Sequence, residues 1–468
     1  MSATLKFFGA AQNVTGSCYC LEYNDQRLLV DCGMYQERDF RIRNWEPLPV
    51  APASIDFVLL THAHLDHCGR LPKLVKDGFK GPVYCTPATA EIAKIVMADS
   101  AKIQEEDAAH KIKRHARQGR KSPVPIVPLY TTADAEAAAG LLTPVDYMEP
   151  LLLPGGASAT FYDAGHILGS SMIKLTVPIN GETRTVLFSG DVGRWNTPIL
   201  RDPSLFQQAD YVLVESTYGD RIHEEQSSIL DALANIINET VARGGNIVVP
   251  SFVVERSQEL LFYIAQLLKK KQIKPIKVFL DSPMAISVTR VFRQHPELFD
   301  DETTTMIDNG NNPYSFPGLT MCSTAEESKA IREEARPVII IAGSGMCTAG
   351  RIKHHLANNI ENPNTTIMFV GYQAVGTLGR IILEKPKDVR ILSQMYKVNA
   401  QITKIQGFSA HADQNELMCW LSTIKKAPRR VFIIHGEPKA ATAFAEHLSA
   451  KTQWPVTVPA YNETATLT

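Results

Sequence analysis

The chain has 468 residues, with 48 Lys and Arg against 49 Asp and Glu and a formal net charge of −1. That length buries a large core and points to two domains, or one domain carrying a large insertion. The near-neutral charge gives no global pull on nucleic acid or membrane, the composition is not that of a disordered chain, and no apolar run approaches the ~20 residues that span a bilayer.

In chain order, "TLKFFG", "CYCLEY" and "RLLVDCG" predict early strands with tight connections. The N-terminus therefore reads as a strand and glycine turn, not a signal peptide. After "VYCTP" a long helix is expected from about Thr89 to Arg117, ending in the basic "KIKRHARQGRK" and a Pro-rich loop. That basic end reads as a solvated helix face that could also touch phosphates. Strands resume at "SATFYDAG", "SMIKLTVPI", "RTVLFSGD" and "DYVLVEST". From Gln226 to Glu384 helices alternate with apolar strands such as "NIVVP", "KVFLD", "PVIIIAGSG" and "TTIMFVGYQ", the rhythm of a parallel sheet. The last part returns to strand "AQITKIQGFSAH", helix "DQNELMCWLSTIKK", strand "RRVFIIHG" and helix "PKAATAFAEHLSAK". One α/β domain interrupted by another is expected: residues 1–217 and 393–468 flank an insertion at 218–392. The eight cysteines contain no CxxC pair, so reduced core thiols in a cytoplasmic protein are expected.

Several strands end in a polar residue, with glycine adjacent at His166, Asp191 and His435: Asp31, His62 and His64, His166, Asp191, Glu215, His411 and His435. Ligands gather at the carboxyl ends of strands in α/β sheets, so these point to one shared site. The segment "THAHLDH" carries the strongest signal. Residues i and i+2 of extended chain face the same way, so His62 and His64 can grip one ion. Past the turn, Asp66 and His67 can aim at a second. Imidazole and carboxylate suit zinc, with manganese or iron as runners-up. A carboxylate must bridge two ions, and Asp191 is the candidate. Glycine contexts favour His166 and His435 as further ligands. Asp31 reads as an orienting partner for a metal-binding histidine.

"THAHLDH" resembles the HxHxDH signature of the metallo-β-lactamase superfamily. The later "GHILGS", "SGDVGR", "VESTYG", "GFSAHAD" and "IIHGE" resemble its β-CASP branch of RNA-processing nucleases, over nearly the whole chain. The resemblance implies an α/β, four-layer αββα metallo-β-lactamase fold with an inserted β-CASP α/β domain, and RNA in the cleft between the two. It implies two Zn2+ per chain: His62, His64 and His166 on one, Asp66, His67 and His435 on the other, Asp191 bridging. Glu215 and His411 would form a hydrogen-bonded pair beside them. Hydrolysis would then use two-metal activation of water, with Asp66 orienting it and His411, held protonated by Glu215, giving a proton to the leaving 3′-oxygen.

The turn "AGSGMCTAGR" follows a strand and opens a helix, so it can hold a phosphate, and by itself it reads equally as a structural connection. It resembles the β-CASP turn that faces the metals, which implies substrate contacts from Ser344, Gly345, Thr348 and Arg351, together with Ser409 of "GFSAHAD". "GYQAVGTLGR" also resembles the family, but Tyr372 and Arg380 receive no role. The expected partner is single-stranded RNA, without a membrane. A repair-type β-CASP DNA nuclease is the first alternative; His435 favours RNA, since that branch usually has aspartate or valine there. A thioester or lactam hydrolase fits less well with the large insertion and the Glu215–His411 pair, and a dead scaffold subunit fits less well with a complete ligand set. No additional RNA-binding domain is expected before Met1, nor the dimerising C-terminal domain of ribonuclease J, so a homodimer stays open, as does the choice between endonuclease and exonuclease action.

Overall fold

The computed structural model describes residues 2–468 except 121, 123–124, 224–228, 372, 375 and 406. These residues form two compact units. The first comprises Met1–Asn196, Asp202–Ile222 and Ala410–Thr468, and the second Thr197–Arg201 and His223–Ser409.

The first unit is built on two seven-stranded sheets. One runs, edge to edge, through Thr464–Leu467, Ala3–Gly9, Cys18–Tyr23, Gln26–Val30, Phe57–Leu59, Val83–Cys85 and Leu142–Pro144. The other runs through Val456–Thr457, Arg430–Ile434, Tyr211–Glu215, Glu182–Phe188, Ser171–Ile179, Ala157–Asp163 and Leu151–Leu153. Strand alternation sends one face of each sheet into a shared core, where Leu5, Phe7, Leu21, Val30 and Leu59 meet Phe161, Leu175, Val186, Phe188 and Phe432. The outer face of the second sheet buries Val212, Val214, Val431 and Ile433 against Leu417, Trp420, Phe444 and Leu448 of the helices Gln414–Ser422 and Pro438–Thr452. The first sheet's connections carry the helices Leu71–Lys76, Pro87–Arg117 and Thr132–Ala139. This is the expected αββα layering.

Strand direction positions the chemistry. Gln26–Val30 and Phe57–Leu59 are parallel, with Val30 opposite Leu59, so Asp31 and His62 leave the first sheet at one end. Glu182–Phe188, Tyr211–Glu215 and Arg430–Ile434 are also mutually parallel, so Asp191, Glu215 and His435 leave the second sheet together. Ala157–Asp163 is antiparallel to Ser171–Ile179, which is antiparallel to Glu182–Phe188; two reversals bring His166 to that end as well.

The second unit holds a six-stranded parallel sheet in the order Leu319–Met321, Lys277–Leu280, Val338–Ala342, Ile247–Pro250, Thr366–Val370 and Gln401–Ile405. Its boundaries differ from the expected 218–392. Gln401–Ile405 pairs along its length with Thr366–Val370, which extends the unit to Ser409. At the other end, Tyr218 bridges to Asp413 and Gln414 donates to the Gly219 carbonyl, which keeps residues 218–222 in the first unit. Thr197–Arg201 also joins the second unit, where Asp300 N–H donates to the Ile199 carbonyl. The hairpin Asp388–Ile391/Gln394–Lys397 was not anticipated: Val389 and Ile391 alternate with exposed residues over four positions only, and Gln394–Lys397 is largely exposed, which is too short a pattern to mark it.

All eight cysteines are free thiols, seven buried and Cys419 exposed. Among the described residues no helix is long and apolar enough to cross a membrane.

Candidate metal centre

Two clusters of donor atoms meet at Asp191. In the first, His62 Nε2 lies 3.1 Å from His64 Nδ1, and His166 Nε2 lies 3.1 Å from the same His64 atom. Asp191 Oδ2 stands 3.4 Å from His62 Nε2 and 3.5 Å from His166 Nε2. In the second, His67 Nε2 lies 3.2 Å from His435 Nε2 and 3.3 Å from Asp191 Oδ1. His435 Nε2 is 3.6 Å from both Asp191 Oδ1 and Asp66 Oδ2. The two oxygens of Asp191 thus face different clusters.

These separations can be tested against a metal. A tetrahedral zinc with bonds near 2.05 Å sets its ligand atoms about 3.3 Å apart; the contacts above run from 3.1 to 3.6 Å. Asp191 Oδ1 is buried and makes no hydrogen bond among the described residues. A buried carboxylate oxygen is costly to leave without a donor, and a cation at this point would satisfy it. Nitrogen and carboxylate oxygen at these spacings are a zinc-type donor set.

The imidazoles are held in ligand-ready orientation by hydrogen bonds at their far nitrogens. His67 Nδ1 donates to Asp31 Oδ2 at 2.7 Å, which turns Nε2 toward the site. His166 Nδ1 donates to the Ala410 carbonyl at 3.1 Å. His62 Nδ1 meets Thr61 Oγ1 at 3.1 Å and His435 Nδ1 meets Thr217 Oγ1 at 3.0 Å. Asp31 also accepts from the Thr61 amide and hydroxyl. Asp31 and His435 adopt left-handed backbone, φ +62 and +49, a cost that non-glycine residues bear where surrounding bonds fix them. Here Asp31 N–H donates to the Leu59 carbonyl and His435 N–H to the Ala10 carbonyl.

Electrostatics separates the two clusters. Burial pushes His62 down to about 3 and His64 down to about 4, and it holds His166 well below the ordinary range, so all three stay neutral. Burial acts the same way on His67 and His435, but the surrounding carboxylates outweigh it and raise both. Asp191 lies well below the usual carboxylate range: its burial is overcome by His435, His67 and His62.

Beside these clusters Glu215, fully buried, accepts from the amides of Val192 and Thr217 and from His411 Nδ1 at 3.1 Å. The His411 side chain is 21 % exposed, and its ring lies 4.5 Å from that of His166. Burial opposes its protonation, but the Glu215 and Asp191 carboxylates prevail and raise it to about 9.

All of the residues expected at the metals, with Asp31, Glu215 and His411, lie together in the first unit. The expected substrate contacts lie in the second. Ser344, Gly345 and Thr348 occupy the turn between strand Val338–Ala342 and helix Ile352–Asn359, and Ser409 closes the unit. Arg351 does not fit the role expected of it. Its guanidinium binds Asp281 Oδ1 at 2.6 Å and the carbonyls of Cys322 and Ser323 at 2.9 and 2.8 Å, so it anchors the turn. Arg380 pairs with Glu384 along a helix surface, and Tyr372 lies outside the described residues. Sequence reasoning missed Thr61, Thr217 and the Ala410 carbonyl; the two threonines immediately precede His62 or follow "ES", a proximity that could have raised them.

Family models match three stretches: the metallo-beta-lactamase superfamily at residues 12–168, the Beta-Casp domain at 257–382, and the Zn-dependent metallo-hydrolase RNA specificity domain at 395–459. The ribonuclease TTHA0252 of Thermus thermophilus is 39 % identical over 446 residues, covering 95 % of this chain and 96 % of that protein. The transcription termination factor FttA of Methanosarcina mazei is 32 % identical over 456 residues, 95 % of this chain and 68 % of that protein. An RNase J-like protein of Methanocaldococcus jannaschii is 28 % identical, covering 97 % of each chain. A crystal structure of a protein of unknown function from Enterococcus faecalis shares the fold across the full length of both chains, with a TM-score of 0.56 at 12 % identity. With its domain order, its paired donor clusters and relatives along its whole length, the chain belongs to the β-CASP branch of the metallo-β-lactamase superfamily and is a metal-dependent hydrolase.

Proposed function

We propose that the chain is a zinc-dependent ribonuclease that hydrolyses RNA phosphodiester bonds with two metal ions. The observation that carries this reading is Asp191, whose two oxygens each face a separate set of donors, with the Glu215–His411 pair alongside. His62, His64, His166 and Asp191 would hold one ion; Asp66, His67, His435 and Asp191 the other. Bound there, the ions supply Lewis acidity that acidifies water and offsets charge developing on a phosphoryl group.

The chain's own residues orient the water and protonate the leaving group. Asp66 is kept ionised: its burial is outweighed by His435 and His67. It would orient the attacking water, whose proton, acidified at the site, is released to solvent. As the new oxygen–phosphorus bond forms, the bond from phosphorus to the 3′-oxygen breaks. His411, protonated and fixed by Glu215 through Nδ1, delivers a proton to that departing oxygen. The products are a 3′-hydroxyl and a 5′-phosphate. RNA rather than DNA is supported by the 39 % identity to a ribonuclease and by histidine at position 435. Ser344, Gly345, Thr348 and Ser409 are proposed as substrate contacts; Arg351 is not.

The test is cleavage of end-labelled RNA and single-stranded DNA of matching sequence by zinc-supplied protein, beside His62→Ala and His411→Ala. RNA cleavage lost in both variants is expected. Cleavage of DNA alone overturns the RNA assignment, and full activity in His62→Ala overturns the metal mechanism.

A further inference from the structure

The helix Pro87–Arg117 changes character along its length. Its buried residues run from Ala88 to Ala101 and stop there. The Leu129 and Thr132 amides, donating to Gln104 and Glu105, fix the middle of the helix. Beyond that point His110, Lys113, Arg114 and Arg117 are all exposed. They sit at i, i+3, i+4 and i+7, so they share one face. An amphipathic helix places apolar residues at this spacing; here the stripe is cationic. Lys111 and Arg120 extend it, and no Asp or Glu occurs between Ala108 and Arg120. A hollow of about 500 Å³ opens on this face, lined among the described residues by His110, Lys113, Arg114, Arg117 and Gln118.

A solvated helix end needs none of this. Cations in the last turn complement the helix dipole, which accounts for Arg114 and Arg117. Like charges four apart, as at Lys113 and Arg117, destabilise a helix. The dipole thus favours cations in the last turn, but it does not call for the pair Lys113 and Arg117 or for the continuation to His110. In a chain of net charge −1, concentrating cations on one helix face, with the preceding acids Glu106 and Asp107 confined to the turn before it, creates a local field for a polyanion.

We infer that this stripe is an RNA-binding surface outside the metal centre, which grips the sugar-phosphate backbone without reading sequence. The inference rests on the RNA reading for the identity of the polyanion. Lysine and arginine contacts to phosphates release counterions on binding, so affinity should depend steeply on salt.

The experiment uses the full chain carrying His62→Ala, so that binding is measured without cleavage. Anisotropy of a fluorescein-labelled oligouridylate of about 30 nucleotides is followed from roughly 0.05 to 0.3 M KCl. The stripe variant adds Lys113→Gln, Arg114→Gln and Arg117→Gln, which keep helix propensity; unchanged far-UV circular dichroism checks the fold. Losing three phosphate contacts should lower the slope of log K against log salt by about 2 and weaken binding about 100-fold at 0.1 M, since each contact on a single strand contributes ~0.7 to the slope. A control variant neutralises Lys269, Lys270 and Lys271, exposed on the second unit, and should keep the parent slope. An unchanged slope in the stripe variant overturns the inference. So does an equal fall in the control, which would mean net charge alone, or stripe-dependent binding to equal-part phosphatidylserine–phosphatidylcholine vesicles without RNA binding. Stripe-dependent RNA binding by a chain that cleaves no RNA would refute the nuclease reading and leave the stripe standing; cleavage with an unaltered slope would do the reverse.

Discussion

Asp281 is a buried carboxylate in the second unit, fully enclosed, that accepts from Ser328 Oγ at 2.5 Å, Arg351 Nη1 at 2.6 Å and His355 Nε2 at 2.6 Å. Replacing it by asparagine removes the charge and leaves one carbonyl to serve three donors. Hydrogen bonds to charged groups are worth about 1.5–3 kcal/mol each, but these three share one acceptor and do not add. Arg351 also keeps its two carbonyl partners, and its side chain is 22 % exposed. A loss of about 3 kcal/mol follows, near the lower end of the roughly 3–5 kcal/mol seen when one member of a buried pair is removed. For a unit of this size that corresponds to a fall in Tm of about 6–12 °C. The direction with pH is fixed too. Burial would raise the Asp281 carboxyl, but its bonds to His355, Ser328 and Arg351 prevail and hold it below the ordinary value. Its stabilisation is therefore present above the unfolded pKa of ~3.9 and is lost as pH falls through the lower folded value. Differential scanning calorimetry of parent and Asp281→Asn between neutral pH and pH 3 checks this. A Tm within a degree of the parent at neutral pH, or a difference that grows on acidification, refutes the reasoning.

Three further outcomes are expected. Asp31→Ala removes the acceptor for His67 Nδ1 and should weaken zinc binding about 10–100-fold, read by competition with a chromogenic chelator. Glu215→Gln keeps an acceptor for His411 but removes the charge that favours imidazolium; the rate of RNA cleavage should fall about 10²–10⁴-fold with bound zinc unchanged, so loss of zinc would point to a structural role instead. Gly33→Ala would place a methyl 1.6 Å from the Asp66 carbonyl oxygen, forcing the turn that carries two donors to shift; destabilisation of about 3 kcal/mol and impaired metal binding should appear together in urea titration and metal analysis.

The centre was legible in the sequence because strand ends are rigid and parallel strands share an end. "THAHLDH" placed two donor residues in each cluster, and glycines beside Asp191, His166 and His435 marked the remaining candidates. Sequence spacing says nothing about which nitrogen of a ring faces inward. That is decided by Thr61, Thr217, Asp31 and a main-chain carbonyl, and a carbonyl leaves no trace in residue identity. The inner edge of the insertion was misplaced because "AQITKI" reads as an apolar strand whichever sheet receives it. Only its pairing with Thr366–Val370 assigns it to the second unit. Arg351 misled for a related reason: a guanidinium in a glycine-rich turn suggests phosphate, and its partner Asp281 lies 70 residues away in the chain.

His67 and His435 nearly touch, yet 368 residues separate them. A ribosome adding 5–20 residues per second takes roughly 20–70 s to pass from one to the other. Once Asp191 has emerged the chain carries every donor of the two clusters except His435, while the intervening α/β unit can already fold. The last strand, Thr464–Leu467, must still dock on Ala3–Lys6 to finish the first sheet. A nascent chain stalled before residue 435 would therefore lack one member of the second donor cluster.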